Sequence, residues 1–169
     1  MDEVDEIDEV DEIVGAWRRE RADLDVEPLH VLSRIDRLAA VLDARRAEAF
    51  VEHGLQGYEF DVLSVLRRSG EPFELTAGEL AARTHVTSGT MTSRLDRLVA
   101  RGFVDRRADP SDGRLVRVRL TPAGRERVDE AFAALLDGER DLLATLDDDR
   151  RHALADALRT LLIAADLPR

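Results

Sequence analysis

A chain of 169 residues, 44% of them apolar, can bury one good core and little else. Without cysteine it has no disulfide framework, thiol nucleophile or thiolate metal site, and His30, His53, His85 and His152 lie too far apart in sequence to suggest a clustered metal centre. The net charge of -11 argues at first sight against a nucleic-acid partner, because affinity for DNA rests on neutralised phosphates.

The distribution of that charge reverses the impression. Asp2 to Glu12 holds eight carboxylates and no base, whereas Arg83 to Arg127 holds eleven arginines against five acids. Such asymmetry marks a basic working surface on an acidic protein. No run of eighteen apolar residues occurs, and the acidic N-terminus does not resemble a secretion signal, so a cytoplasmic protein with no membrane partner and no cofactor is expected.

In chain order, residues 1–16 form an acidic arm. Val4, Ile7, Val10, Ile13, Val14 and Trp17 recur every three or four positions, as a helix with one apolar stripe would place them; a solvated tail is the other reading of the first dozen. Residues 17–57 carry N-terminal helices, with Leu29, Leu32, Ile35, Leu38, Ala39 and Leu42 keeping a helical period to about His53 before Gly54 and Gly57 break it. Phe60 to Leu66 predicts another helix that ends at Ser69-Gly70.

Thr76 followed by Glu79 is a capping box that opens a short helix ending at Arg83. A second helix starts near Thr87 and ends at Gly102, with Met91, Leu95, Leu98 and Val99 expected inward. Its other face is small, polar and basic: Thr87, Ser88, Gly89, Thr90, Ser93, Arg94 and Arg97. Phe103 to Arg107 and Leu115 to Leu120 then predict two strands, the second turning Val116, Val118 and Leu120 inward. Asp109-Pro110-Ser111-Asp112-Gly113 between them is dense in turn formers and makes an arginine-rich hairpin. Thr121-Pro122 caps a further helix, and a last one starts near Asp148; their leucine stripes exceed what one small domain can cover.

The fold class expected is therefore mainly α with a small β-hairpin wing: a winged helix-turn-helix over residues 58–120, flanked by N-terminal helices in 17–57 and C-terminal helices in 121–169 whose apolar stripes the winged domain leaves uncovered. In that plan the second helix of the pair enters the major groove. Small residues at its N-terminus allow close approach, hydroxyls reach phosphates or base edges, and arginine binds guanine bidentately.

The stretch from Leu80 to Arg127 strongly resembles the MarR family of bacterial regulators. The likeness lies in Arg101-Gly102-Phe103-Val104, in the wing Asp109-Pro110-Ser111-Asp112-Gly113-Arg114, and in the exit Leu120-Thr121-Pro122-Ala123-Gly124-Arg125. It implies a homodimer, formed by dimerisation helices in 17–57 and 121–169, on a pseudo-palindromic site in double-stranded DNA, with Arg114 in the minor groove and Asp112 holding a nearby arginine. It also implies repression relieved by a small molecule.

A narrower resemblance is to the urate-responsive (HucR/PecS-type) subgroup of that family, and implies a ligand site from Trp17, Asp61, Arg94 and Arg106. Two guanidiniums, an indole and a carboxylate suit a planar anion such as urate. The same residues also read as a core anchor (Trp17), a structural ion pair (Asp61 with Arg94) and a phosphate contact (Arg106). An enzyme is not expected, since no G-x-G-x-x-G turn or paired His/carboxylate motif occurs. The remaining alternative, a winged-helix protein-interaction module without an operator, is disfavoured by the arginine-rich wing.

Overall fold

The computed structural model describes residues 7–112 and 115–166, so Val4 and the first acidic residues, Gly113 and Arg114 lie outside the described residues. The chain divides into two compact units, Met1–Glu48 and Ala49–Arg169, and the division falls within one long helix.

In the first unit, α1 (Glu9–Glu20) starts at a capping box in which Asp8 accepts from the amides of Val10 and Asp11 while the Asp11 side chain accepts from the Asp8 amide. The acidic arm is thus helical from Glu9. Val10 and Val14 are buried, whereas Ile7 and Trp17 are exposed. Acidic residues of the arm pair with arginines of α2 (Leu29–Glu52): Arg34 bonds Asp8 and Asp11 at 2.8 Å, and Arg37 bonds Glu9. These exposed pairs fix geometry more than they stabilise.

The second unit holds the core. Its first elements are α3 (Gly57–Arg67), the short strand β1 (Glu74–Thr76) and α4 (Ala77–Arg83). They are followed by α5 (Ser88–Ala100), β2 (Val104–Ala108) and β3 (Val116–Leu120). The helices α6 (Pro122–Leu143) and α7 (Asp148–Asp166) close the chain. The sheet order is β1-β3-β2, all antiparallel. Leu55, Leu63, Leu66, Leu80, Met91, Leu95 and Leu98 are completely enclosed and hold α3, α4 and α5 together. Stacked rings of Phe50 and Phe60, 4.1 Å apart, continue this core toward Phe132 on α6.

Three expectations change. Val99 is 40% exposed, because at 100° per residue it lies about 80° round the helix from Met91, past the edge of the Met91-Leu95-Leu98 stripe. Val116 is 41% exposed, since the hairpin has by then left the core that covers Val118 and Leu120. Strand β1 was not expected at all; its three residues are too few to show a period, and Thr76 is at once its last residue and the N-cap of α4.

Candidate nucleic-acid interface

Helix α5 begins where Thr87, in extended conformation, accepts the amide of Thr90 at 3.2 Å and shares a hydroxyl contact with the Thr90 side chain at 2.9 Å. The tight entry is made by His85, at φ 54°, after α4 ends at Arg83. With Met91, Leu95 and Leu98 inward, Thr87, Ser88, Gly89, Thr90, Ser93 and Arg97 face solvent, and Arg94 is partly covered. The structure therefore sets Thr87 and Ser88 at the exposed start of the helix and Gly89, Thr90, Ser93, Arg94 and Arg97 along the side turned from its core stripe.

The two arginines of that face share a partner which sequence reasoning missed. Tyr58, on the first turn of α3, lies under both guanidiniums, 5.3 Å from Arg94 and 5.8 Å from Arg97, and its hydroxyl accepts from Arg97 at 3.3 Å. Cation–π contact with one ring orders two long side chains that would otherwise sweep a large volume.

Strands β2 and β3 carry the wing, paired from Val104 opposite Leu120 to Ala108 opposite Val116. Where the strands give way to the tip loop, buried Asp109 gathers the hydroxyl and amide of Ser111, the amide of Asp112 and Arg117 Nε. The Ser111 bonds first, and the Arg117 guanidinium after them, hold this carboxyl far below the usual carboxylate range. Sequence reasoning did not single out Asp109, the carboxylate that clamps Arg117; the Asp-Pro turn was its only sequence signal. Glu74 of β1 also lies against Arg107 and Arg117.

Of the expected ligand residues, Trp17 is half exposed in the first unit, and the other three lie in the second. Asp61 on α3 makes no side-chain hydrogen bond or ion pair among the described residues. Desolvation raises its pKa above the ordinary aspartate value, and the charges of Arg94 and Arg68 only partly oppose this. Asp61 and Arg94 are therefore electrostatic neighbours but not a hydrogen-bonded pair. Arg106 turns to the core side of the sheet, where it donates to Asp96 Oδ1 at 2.5 Å and to Thr92 O at 2.9 Å, tying wing to recognition helix. Its Nε is buried without a partner. A pocket of about 320 Å³ beside Asp61 is bordered by Arg68, Arg83 and His85.

Among the described residues no helix is long and apolar enough to cross a membrane. Residues 53–115 match the family model described as MarR family. The chain is 34% identical over 142 residues to the HTH-type transcriptional regulator PecS of Dickeya dadantii, an alignment spanning 84% of this chain and 86% of that one. It is similar in fold to a MarR family transcriptional regulator from Streptomyces coelicolor, with a TM-score of 0.68 and 25% identity over 83% of this chain and 96% of that one. A MarR family protein from Bacillus stearothermophilus superposes with a TM-score of 0.72 at 24% identity, over 85% of this chain and 99% of the other.

Proposed function

The chain belongs to the MarR family of DNA-binding transcriptional regulators, and from that premise we propose that it is a cytoplasmic homodimeric repressor released from its operator by a small planar anion. The observation that carries the DNA-binding reading is the α5 face: hydroxyls and glycine at the helix start and two ordered arginines one and two turns on, beside an arginine-rich wing. Thr87, Ser88, Gly89, Thr90, Ser93, Arg94 and Arg97 meet the major groove. Asp112 and Arg114 serve the wing in the minor groove, where a narrow groove concentrates negative potential.

The dimer reading is supported by apolar side chains left open on the last two helices. Phe132, Leu136, Leu143, Leu154, Leu161 and Leu162 are all at least 39% exposed, and large apolar side chains left open in this number mark an association surface. A two-fold dimer calls for pseudo-palindromic half-sites about one helical turn apart.

For the effector we propose urate or a related purine anion. Arg94 and Arg106 would meet its charge, and Asp61 would accept an N–H. Support comes from the unpaired Asp61 carboxylate near Arg94, and from the similarity to PecS over most of the chain. Because Arg94 belongs to the recognition helix, a ligand that draws it toward Asp61 pulls it off Tyr58 and weakens the DNA-binding state, with a coupling of roughly 1–3 kcal/mol.

Gel-shift titration on the region upstream of the gene tests both parts. Retardation at low salt, reversed by urate in the native chain but not in Asp61→Ala or Arg94→Ala, is the expected result. No retardation of any upstream fragment removes the regulator reading for this site. Retardation with release undiminished in both variants removes only the ligand assignment.

A further inference from the structure

Glu74, Arg107 and Arg117 lie on three different strands, yet on one face of the sheet. Arg107 pairs opposite Arg117, and Glu74 opposite Arg119, so alternation sets all three on the face away from Leu75 and Val118. That face looks outward, but the Glu74 side chain is only 4% exposed, covered by Arg107 at 57% and Arg117 at 37%. Its Oε1 accepts from Arg107 Nη2 at 3.0 Å and from Arg117 Nη1 at 3.5 Å. Its Oε2 is also buried and pairs with the same Arg107 Nη2 at 2.8 Å.

A carboxylate sealed in this way between two guanidiniums is a poor source of stability. The core does not require it, because the packed face of β1 is supplied by Leu75. What the arrangement does provide is a fixed anion joining the edge strand β1 to both strands of the hairpin. Asp109 repeats the device one step outward, holding Arg117 from the other side.

We infer that Glu74 is a positioning residue for DNA binding: an anionic peg that orients Arg107 and Arg117 and thereby fixes the angle at which the wing leaves the sheet. The inference rests on the reading that the wing meets DNA. It makes a prediction opposite in sign to simple electrostatics. Neutralising Glu74 removes one negative charge beside the wing, which by phosphate attraction alone strengthens binding. If the peg aims the wing, neutralising it weakens binding, by about tenfold for the loss of a charge-assisted contact.

The test is fluorescence anisotropy of the full chain on an upstream fragment that it retards, comparing Glu74→Gln with Arg114→Ala, together with amide exchange of the free proteins. Both variants are expected to bind about tenfold more weakly. In Glu74→Gln, amides of residues 104–120 should exchange faster while those of α5 stay protected. Unchanged or tighter binding by Glu74→Gln, alongside weakened Arg114→Ala, overturns the peg and leaves the wing reading intact. Full affinity in Arg114→Ala overturns both. Should the glutamine variant unfold, Glu74→Asp carries the test: its charge is kept and its reach shortened, so affinity still falls, and wild-type affinity there overturns the proposal.

Discussion

Glu59 Oε2 lies 2.5 Å from Arg101 Nη1, so the first turn of α3 is tied directly to the C-terminal cap of α5. Glu59 is 2% exposed, and the same oxygen accepts the Gln56 amide at 2.9 Å as part of the α3 cap. Arg101 adds a bond of 2.6 Å to Gly54 O and lies over the ring of Phe103. Removing the arginine strands a buried carboxylate, which for an enclosed pair costs about 3–5 kcal/mol. With the Arg101 side chain 37% exposed, solvent recovers part of that. Arg101→Met is expected to lose about 2 kcal/mol of unfolding free energy, and denaturant titration measures it.

Gly124 is fixed for a steric reason. A Cβ there would stand 2.1 Å from the carbonyl oxygen of Phe103, which already accepts the Thr121 amide and hydroxyl at 3.1 Å. The exit of the wing and the start of α6 therefore touch backbone to backbone. Gly124→Ala should destabilise by about 3 kcal/mol or leave the chain insoluble, whereas Gly138→Ala, with open space around it, should not. Equal melting temperatures for the two variants would contradict this.

Where sequence pattern and local chemistry agree, the fold could be read in advance. The capping box Thr76/Glu79, the helix start near Thr87, the Met91-Leu95-Leu98 stripe and the Thr121-Pro122 entry are all signals within a few residues, and each stands where expected. The polar face of α5 followed because the apolar face left it nowhere else to point. What escaped was non-local. Tyr58 meets Arg94 and Arg97 across more than thirty positions, and Glu74 meets Arg107 and Arg117 through a strand that exists only because β3 lies beside it. Arg106 was legible as a wing arginine, but its bond to Asp96 depends on which side of the sheet it takes.

Asp61 and Asp109 should respond to pH with opposite signs. Asp61 has a raised pKa in the folded chain, chiefly through desolvation, so it favours folding only while protonated, and that contribution disappears as pH rises through its folded value. Near neutrality its charge is a liability. Asp61→Asn should melt no lower than the native chain at pH 7, and the difference should vanish toward about pH 3, below the ordinary carboxylate range. A less stable Asn variant at neutral pH would instead make Asp61 and Arg94 a stabilising ion pair.

For Asp109 the folded pKa is lowered, first by Ser111 and then by Arg117, so its contribution is present above the ordinary carboxylate value and is lost only as pH falls well below it. Asp109→Asn should therefore loosen the wing across the whole neutral range. Amide exchange of Ser111 and Leu115, whose N–H groups bond Asp109 Oδ1 and Asp112 O, is the direct measurement. Exchange in the native chain should stay slow down to about pH 4.

Arg97 separates sequence readout from phosphate attraction. It is exposed on the α5 face, and its guanidinium is held over Tyr58. An arginine that grips a guanine edge contributes about 1–3 kcal/mol of discrimination at one base pair, whereas one that grips a phosphate changes the salt slope by about 0.9 per contact. Arg97→Ala is expected to lower operator affinity and to relax preference at one position in each half-site, with non-specific affinity and salt slope nearly unchanged. Tyr58→Leu, which leaves Arg97 in place but removes its platform, should lose part of the same discrimination, since the side chain must then be ordered by the DNA itself. Binding measured on operator and random duplexes at several salt concentrations decides it: a uniform loss with a shallower slope would move Arg97 to the phosphate backbone.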